Sequence, residues 1–365
     1  MLVNRKISVI LLVSSLLAVA ACGGGGGKQE KGGDTTLVFA SYASKDAVQS
    51  QIVLWWAEQL ENRTGGRITV DPFFDGTLID AEGMLDGVSS GRADIGYLAS
   101  IYFHAQLPLT SVAELPFVTR DPAAVTQTLL DLYRERGPLY QEYEHSGLKL
   151  LFPVIIGNNT VATSEPFTEM ADIEKLDIRS GGLTSEALAA VNANPVSLAA
   201  PEIYESLQQG VIDGYAALTL DFIPAYGLSE VTSYVTDPGL GVYAAVPIVM
   251  DVEAYDGLSK DDKATLDALS SEALEVGTEM FIDAAESACD DLLAEGTDVS
   301  ILDPSESEKW STVVKDDLIA TWVRDRASAG LDGEAFYARY TEQLEANEAK
   351  STFVPPIETC AARDK

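Results

Sequence analysis

Two histidines, His104 and His145, and three cysteines, Cys22, Cys289 and Cys360, carry the strongest nucleophilic or ligating chemistry in this 365-residue chain. So short an inventory excludes a multi-histidine metal centre within one chain. Either histidine could serve as a general base, yet no serine or cysteine nucleophile signature accompanies them. There is no Gly-x-Ser-x-Gly elbow, no phosphate-binding P-loop and no Gly-x-Gly-x-x-Gly following a strand. The glycine run at 23–27 precedes any strand, and the aspartates between Asp256 and Asp262 lack EF-hand spacing. Acidic pairs are too numerous for one to stand out as a catalytic dyad. The expectation is a protein that is not an enzyme and carries no cofactor and no metal.

Charge narrows the partners. Lys and Arg number 24 against 57 Asp and Glu, a formal −33, and such a surface repels nucleic acid. The densest stretch is 251–365, with 28 acids against 10 bases on helix-forming sequence, which reads as solvated helix faces. At the N-terminus, Arg5 and Lys6 precede an apolar run from Ile7 to Val19, and Ala20-Ala21 lead into Cys22. That run is short of the ~20 residues a membrane span needs. Residues 1–21 are expected to be a signal peptide, with Cys22 acylated as in a bacterial lipobox; an ordinary signal peptide is the alternative. Residues 22–36 read as a flexible glycine-rich tether. In that extracytoplasmic setting Cys289 and Cys360 are either a disulfide pair or two free thiols.

From Leu37 to about Tyr255, short apolar runs alternate with amphipathic helical stretches, an α/β pattern. Strands are expected at 37–42, 68–73, 148–156, 160–163 and 176–179. Helices are expected at 46–62, 79–90, 122–145, 185–191 and 201–209. One arrangement occurs twice: Gly91-Arg-Ala-Asp94 and Gly210-Val-Ile-Asp213 each end a helix at glycine and enter a strand through aspartate. Two such units suggest two similar lobes, whose ligands bind outside the carboxyl ends of the strands. After Tyr255 a long helix opens at Ser259 as its cap and runs to about Cys289. A strand at 298–302 and helices at 305–328 and 333–347 follow.

Motifs in a characteristic order resemble the extracytoplasmic substrate-binding proteins of tripartite ATP-independent periplasmic (TRAP) transporters, DctP type. They are Thr64-Gly-Gly-Arg67, Phe74-Asp-Gly-Thr-Leu78, Gly91-Arg-Ala-Asp94, Leu115-Pro-Phe117, Thr163-Ser-Glu-Pro166, Glu174-Lys-Leu-Asp-Ile-Arg179, Asn194-Pro-Val-Ser-Leu198 and Glu202-Ile-Tyr-Glu-Ser-Leu-Gln-Gln-Gly-Val-Ile-Asp-Gly214. Glu230-Val-Thr-Ser-Tyr234, Trp322 and Gly330 continue the series. The resemblance implies a two-lobe periplasmic-binding-protein clamshell with a long helix spanning both lobes. Lobe I would take 37–156 and 245–284, lobe II 157–244 and 285–350, with a C-terminal tail at 351–365. It also implies capture of a small organic acid between the lobes and delivery to membrane permease subunits.

Arg179 matches the family's substrate arginine, and a guanidinium can grip a carboxylate through two parallel hydrogen bonds. The alternative for Arg179 is a structural pair with Asp177 or Glu186. Asn194 matches a position that can face the ligand, or is a turn amide before Pro195. The sialic-acid-type members carry a second arginine where this chain reads Gly157-Asn158-Asn159-Thr160, so Asn159 is expected to offer an amide instead. Tyr42, Tyr102, Phe103, Tyr215 and Phe222 stand at or after strand ends, where they stack on a solute or pack the lobes. Lys45 and Arg120 are candidates for a second positive group. An uncharged, aromatic or lipid-like ligand, or a ligand-sensing role for a membrane receptor, is the alternative function.

Overall fold

The computed structural model describes residues 34–363. The leader at 1–21, the acylation site Cys22 and the tether up to residue 33 lie outside the described residues. The strands are β1 (Thr35–Ala40), β2 (Ile68–Phe73), β3 (Ile95–Tyr97), β4 (Leu148–Val154), β5 (Val161–Thr163) and β6 (Asp177–Ser180). They continue with β7 (Asn194–Ser197), β8 (Gly214–Tyr215), β9 (Tyr234–Asp237), β10 (Val246–Asp251) and β11 (Asp298–Ile301). Strand β1 begins inside the segment read as tether, because Thr35 to Ala40 pair in register with Ile68 to Phe73.

Two sheets form the frame, ordered β2-β1-β3-β10-β4 and β11-β9-β5-β8-β6-β7. In the first, β1, β2 and β3 are parallel and β10 runs against both β3 and β4. In the second, β8, β6 and β7 are parallel and β5 runs against β8 and β9. The chain crosses from the first sheet to the second between β4 and β5 and returns between β9 and β10. The two crossings touch: Asn158 bridges Val242, and the Asn159 N–H donates to Gly241 O at 2.8 Å. A third link is the helix Lys260–Glu295, capped by the Ser259 hydroxyl, which accepts from the Asp262 N–H. Its first half packs on the helix Val48–Thr64, where Arg63 pairs with Glu272 at 2.6 Å. Its second half holds Cys289, joined by a disulfide to Cys360 in the last helix, Pro356–Arg363. The architecture is the two-lobe α/β clamshell with a long helix.

The repeated glycine–aspartate unit has a mechanical role in each sheet. Gly91 and Gly210 adopt φ of 73° and 68°, a left-handed conformation that favours glycine. Asp94 then accepts the Val38 N–H at 2.7 Å and donates its own N–H to Val38 O at 2.9 Å. Asp213 does the same with Asp177, at 2.8 and 2.7 Å. Each aspartate thus begins the ladder one step ahead of its strand, β3 or β8, and fixes the register at the strand's entry.

Some elements differ from expectation. The helix expected over 122–145 is two helices, Pro122–Arg134 and Pro138–His145, because Arg136 sits at φ 58° and Pro138 lacks the N–H a continuous helix needs. The helix expected from 79 starts at Met84, after Asp80 accepts the Gly83 N–H in a turn. Strands β7, β9 and β10 fall in stretches that gave no strand signal; Pro195 and Pro247 interrupt two of them.

Candidate functional site

Strand β6 alternates as a strand must: Ile178 faces the apolar core beneath the second sheet, and Arg179 faces the other way. Arg179 is 1% exposed. Three loops that follow strand ends wrap its guanidinium. Its Nε donates to Leu198 O at 3.0 Å, and its Nη1 donates to Ala216 O at 3.2 Å and Ala217 O at 2.9 Å. Leu198 follows β7, and Ala216 and Ala217 follow β8. Of the five N–H donors of an arginine, only the pair on Nη2 is left unspent by the backbone. Nη2 approaches the Tyr102 hydroxyl at 3.4 Å. Among the described residues no carboxylate forms an ion pair with Arg179. Asp177 is bound instead by Asn194, and Glu186 lies among His104, Glu114 and Arg326.

Arg179 borders a cavity at the carboxyl ends of the parallel strands of both sheets. Tyr97 ends β3, Tyr42 and Tyr102 follow β1 and β3, and Tyr243 precedes the antiparallel β10, so all reach one edge. The cavity is small, about 20 Å³. Its walls are rings and small apolar side chains. Tyr42 stands edge-on to Tyr97 and Tyr102 at centroid distances of 5.3 and 5.7 Å, and Phe222 stacks on Tyr226 at 5.5 Å. Burial pushes the phenols of Tyr42, Tyr97, Tyr226 and Tyr243 up, so they stay protonated donors. Among the described residues none of these four hydroxyls has a hydrogen-bond partner in the protein.

The residues singled out from sequence divide. Arg179, Tyr42, Tyr102 and Phe222 come together around the cavity. Asn159 sits behind Arg179: its Oδ1 accepts the Ala217 N–H at 2.9 Å and its Nδ2 donates to Thr184 Oγ1 at 2.9 Å. Its carbonyl and one of its N–H groups hold the loop, and it does not line the cavity. Tyr215 is 1% exposed and its hydroxyl is bonded to Thr232 Oγ1 at 2.7 Å, away from the cavity. Asn194 lies at the start of β7, the wrong end of the strand, exposed and donating to Lys175 O and Asp177 Oδ1. Phe103 is buried against Tyr102. Lys45 is exposed outside the cavity, and Arg120 is paired with Asp237 at 2.6 Å and Glu358 at 3.0 Å.

Sequence reasoning missed Tyr97, Tyr226 and Tyr243. The repeat held the signal for Tyr97. It stands three residues after Asp94, whereas Tyr215 stands two after Asp213, and successive strand residues face opposite sides. With both aspartates in the same ladder position, only the odd offset reaches the cavity. Tyr226 could have been paired with Phe222 by its i, i+4 spacing.

Behind the rings, Asp221 is 6% exposed and held by Thr219 Oγ1 and by Gln49 Nε2 at 3.1 Å. Burial without a cation pushes its carboxyl above the usual range. A second ionisable group lies off the cavity. His104 Nε2 meets Glu114 at 2.6 Å, and the Leu183 N–H approaches the same carboxylate at 3.4 Å. The Glu114 charge raises the His104 pKa.

With fold and cavity in place, comparison with known proteins defines the class. The chain belongs to the bacterial extracellular solute-binding protein family 7, DctP, whose model matches residues 39–324. The 2,3-diketo-L-gulonate-binding periplasmic protein YiaO of Escherichia coli is 27% identical over 217 residues, covering 59% of this chain and 65% of that protein. A TRAP periplasmic solute-binding protein from Desulfovibrio salexigens is 25% identical with a TM-score of 0.74, over 88% of this chain and 99% of the other. A marine-metagenome TRAP solute-binding protein, solved with 3-hydroxybenzoate, is 21% identical with a TM-score of 0.79, over 87% and 99%. Family membership makes this a transport receptor and not an enzyme. No helix among the described residues is long and apolar enough to cross a membrane.

Proposed function

We propose that this chain is the solute receptor of a TRAP transporter, that it holds a small organic acid in the interlobe cavity by its carboxylate, and that it hands the acid to membrane permease subunits. The observation that carries the proposal is Arg179: a guanidinium 1% exposed, lining the cavity, with Nη2 toward Tyr102 and no carboxylate partner among the described residues. A buried charge without a counter-ion is costly, and an acid would supply the missing anion. The Tyr102 hydroxyl, reaching from the first sheet's side to Arg179 in the second, lets one carboxylate bridge both lobes and favour the closed state. The expected two-pronged grip through Nη1 and Nη2 gives way here to Nη2 plus Tyr102, because Nη1 is spent on carbonyls.

Relatives of this fold support an acid. They were solved with 3-hydroxybenzoate, with mandelate and with D-glucuronate. A neutral ligand would fit better if Arg179 were in a salt bridge, and it is not. We also assign lobe I to 37–156 and 245–284 and lobe II to 157–244 and 285–350, since apart from Thr35 and Thr36 the two sheets draw their strands from those ranges. The helix Gly333–Glu348 departs from that division, packing on Pro122–Arg134 of lobe I, where Asn347 Nδ2 donates to Thr128 Oγ1 at 3.0 Å and Gln343 Nε2 to Asp131 at 3.0 Å. Anchoring through acylated Cys22 belongs to the same proposal, and the mass of the mature N-terminal peptide tests it. The binding test is calorimetric titration of mono-, di- and keto-carboxylates into wild type and Arg179→Gln, with Arg179→Lys as a charge-keeping control. Loss of the desolvated pair is expected to cost ~2–5 kcal/mol. An acid bound equally well by folded Arg179→Gln overturns the anchor.

A further inference from the structure

We propose that the ligand is a flat aromatic monocarboxylate, its carboxylate on Arg179 Nη2 and the Tyr102 hydroxyl and its ring held between Tyr42, Tyr97, Phe222, Tyr226 and Tyr243. The proposal rests on the reading above that the cavity takes an acid, and it narrows which acid.

The cation count sets the number of carboxylates. Arg179 is the one basic side chain lining the cavity among the described residues, while Arg120 is committed to Asp237 and Glu358. A second carboxylate on the ligand would be desolvated without a partner. Dicarboxylates are therefore disfavoured.

The walls set the body of the ligand. Among the described residues no carboxylate or carboxamide side chain lines the cavity, so none of them can grip two neighbouring sugar hydroxyls as a planar pair of acceptors. Between the rings the lining is aliphatic, from Ala99, Ala200, Ala217 and Ala244 to Ile101 and Leu218. A planar ring can lie against aromatic side chains on both faces, whereas a puckered, fully hydroxylated ring would set its hydroxyls against them unpaired. Edge-to-face and stacked pairs already line it, and an aromatic ligand would extend that arrangement. The four unpartnered phenol hydroxyls leave a polar reader for a hydroxyl on the ligand's ring, so ring-hydroxylated benzoates belong to the class.

The test is calorimetric titration of the mature protein with benzoate, a ring-hydroxylated benzoate, cyclohexanecarboxylate, D-glucuronate and succinate, in wild type and Phe222→Leu. Cyclohexanecarboxylate matches benzoate in charge and size but lacks a flat π face. The expected result is that a benzoate binds about tenfold or more tighter than cyclohexanecarboxylate, that glucuronate and succinate bind more weakly still, and that Phe222→Leu narrows the aromatic preference. If glucuronate or succinate binds tightest, or cyclohexanecarboxylate equals benzoate, the aromatic class is overturned while the acid reading stands. If no acid in the panel binds, both fall.

Discussion

Replacing Asn159 by leucine tests how the binding arginine is held. The change keeps the branched outline, though with bulkier methyl ends, and removes two buried hydrogen bonds, from the Ala217 N–H at 2.9 Å and to Thr184 Oγ1 at 2.9 Å. Each group left unpaired in the interior costs ~1–3 kcal/mol, so the variant should lose about 2–4 kcal/mol of stability. Ala217 is held at φ 52°, a conformation an alanine leaves when its restraint goes. Its carbonyl then leaves Arg179 Nη1, the guanidinium loosens, and acid affinity should fall by about tenfold, ~1.4 kcal/mol. Urea unfolding followed by tryptophan fluorescence gives the first number and calorimetry the second. The decisive variant adds Ala217→Gly, since glycine adopts positive φ without strain. The double mutant should recover most of the affinity but little of the stability. If Asn159→Leu leaves affinity unchanged, or Ala217→Gly restores nothing, the support role assigned to Asn159 is wrong.

Two further outcomes follow from other parts of the molecule. The His104 pKa is raised by Glu114, so its stabilisation is complete below about 6.5 and is lost as pH rises through the higher folded value. Burial raises Glu142 to about 7, and that contribution likewise is lost as pH climbs from the ordinary carboxylate range to about 7. Unfolding free energy should therefore decline from about pH 5 to 8, and His104→Gln should flatten the upper part; a rising wild-type profile would contradict the pairing. Reducing the Cys289–Cys360 disulfide opens a loop with a sequence separation of 71, which in the chain-entropy account removes about 4 kcal/mol. The Cys289→Ser/Cys360→Ser variant should melt several degrees lower, and an unchanged melting temperature would show that the last helix docks without the bond.

Local rules carried much of the fold. Gly91 and Gly210 could be read as helix ends and Asp94 and Asp213 as strand entries, because left-handed caps and ladder starts leave short-range marks. Ser259 marked the long helix for the same reason. The break at Arg136 was hidden because apolar periodicity resumes after Pro138, and β7 and β10 were hidden because a proline sits in each. At the site, a motif led to Arg179, but its lack of a carboxylate partner depends on three loops meeting and leaves no trace in sequence. Tyr97 was passed over for Tyr215 through one residue of strand parity. Asn159 and Asn194 show the limit of residue type as evidence. Both are amides near the motif, yet one braces the arginine loop from behind and the other lies at the far end of the sheet.

The central claim is that a single carboxylate completes the unpaired charge of Arg179. It is tested most directly by comparing the calorimetric affinity of the tightest-binding acid with that of its primary amide, which keeps the shape and removes the charge. A desolvated charge-assisted pair predicts a loss of about 100-fold or more for the amide. Equal affinity for acid and amide would contradict it.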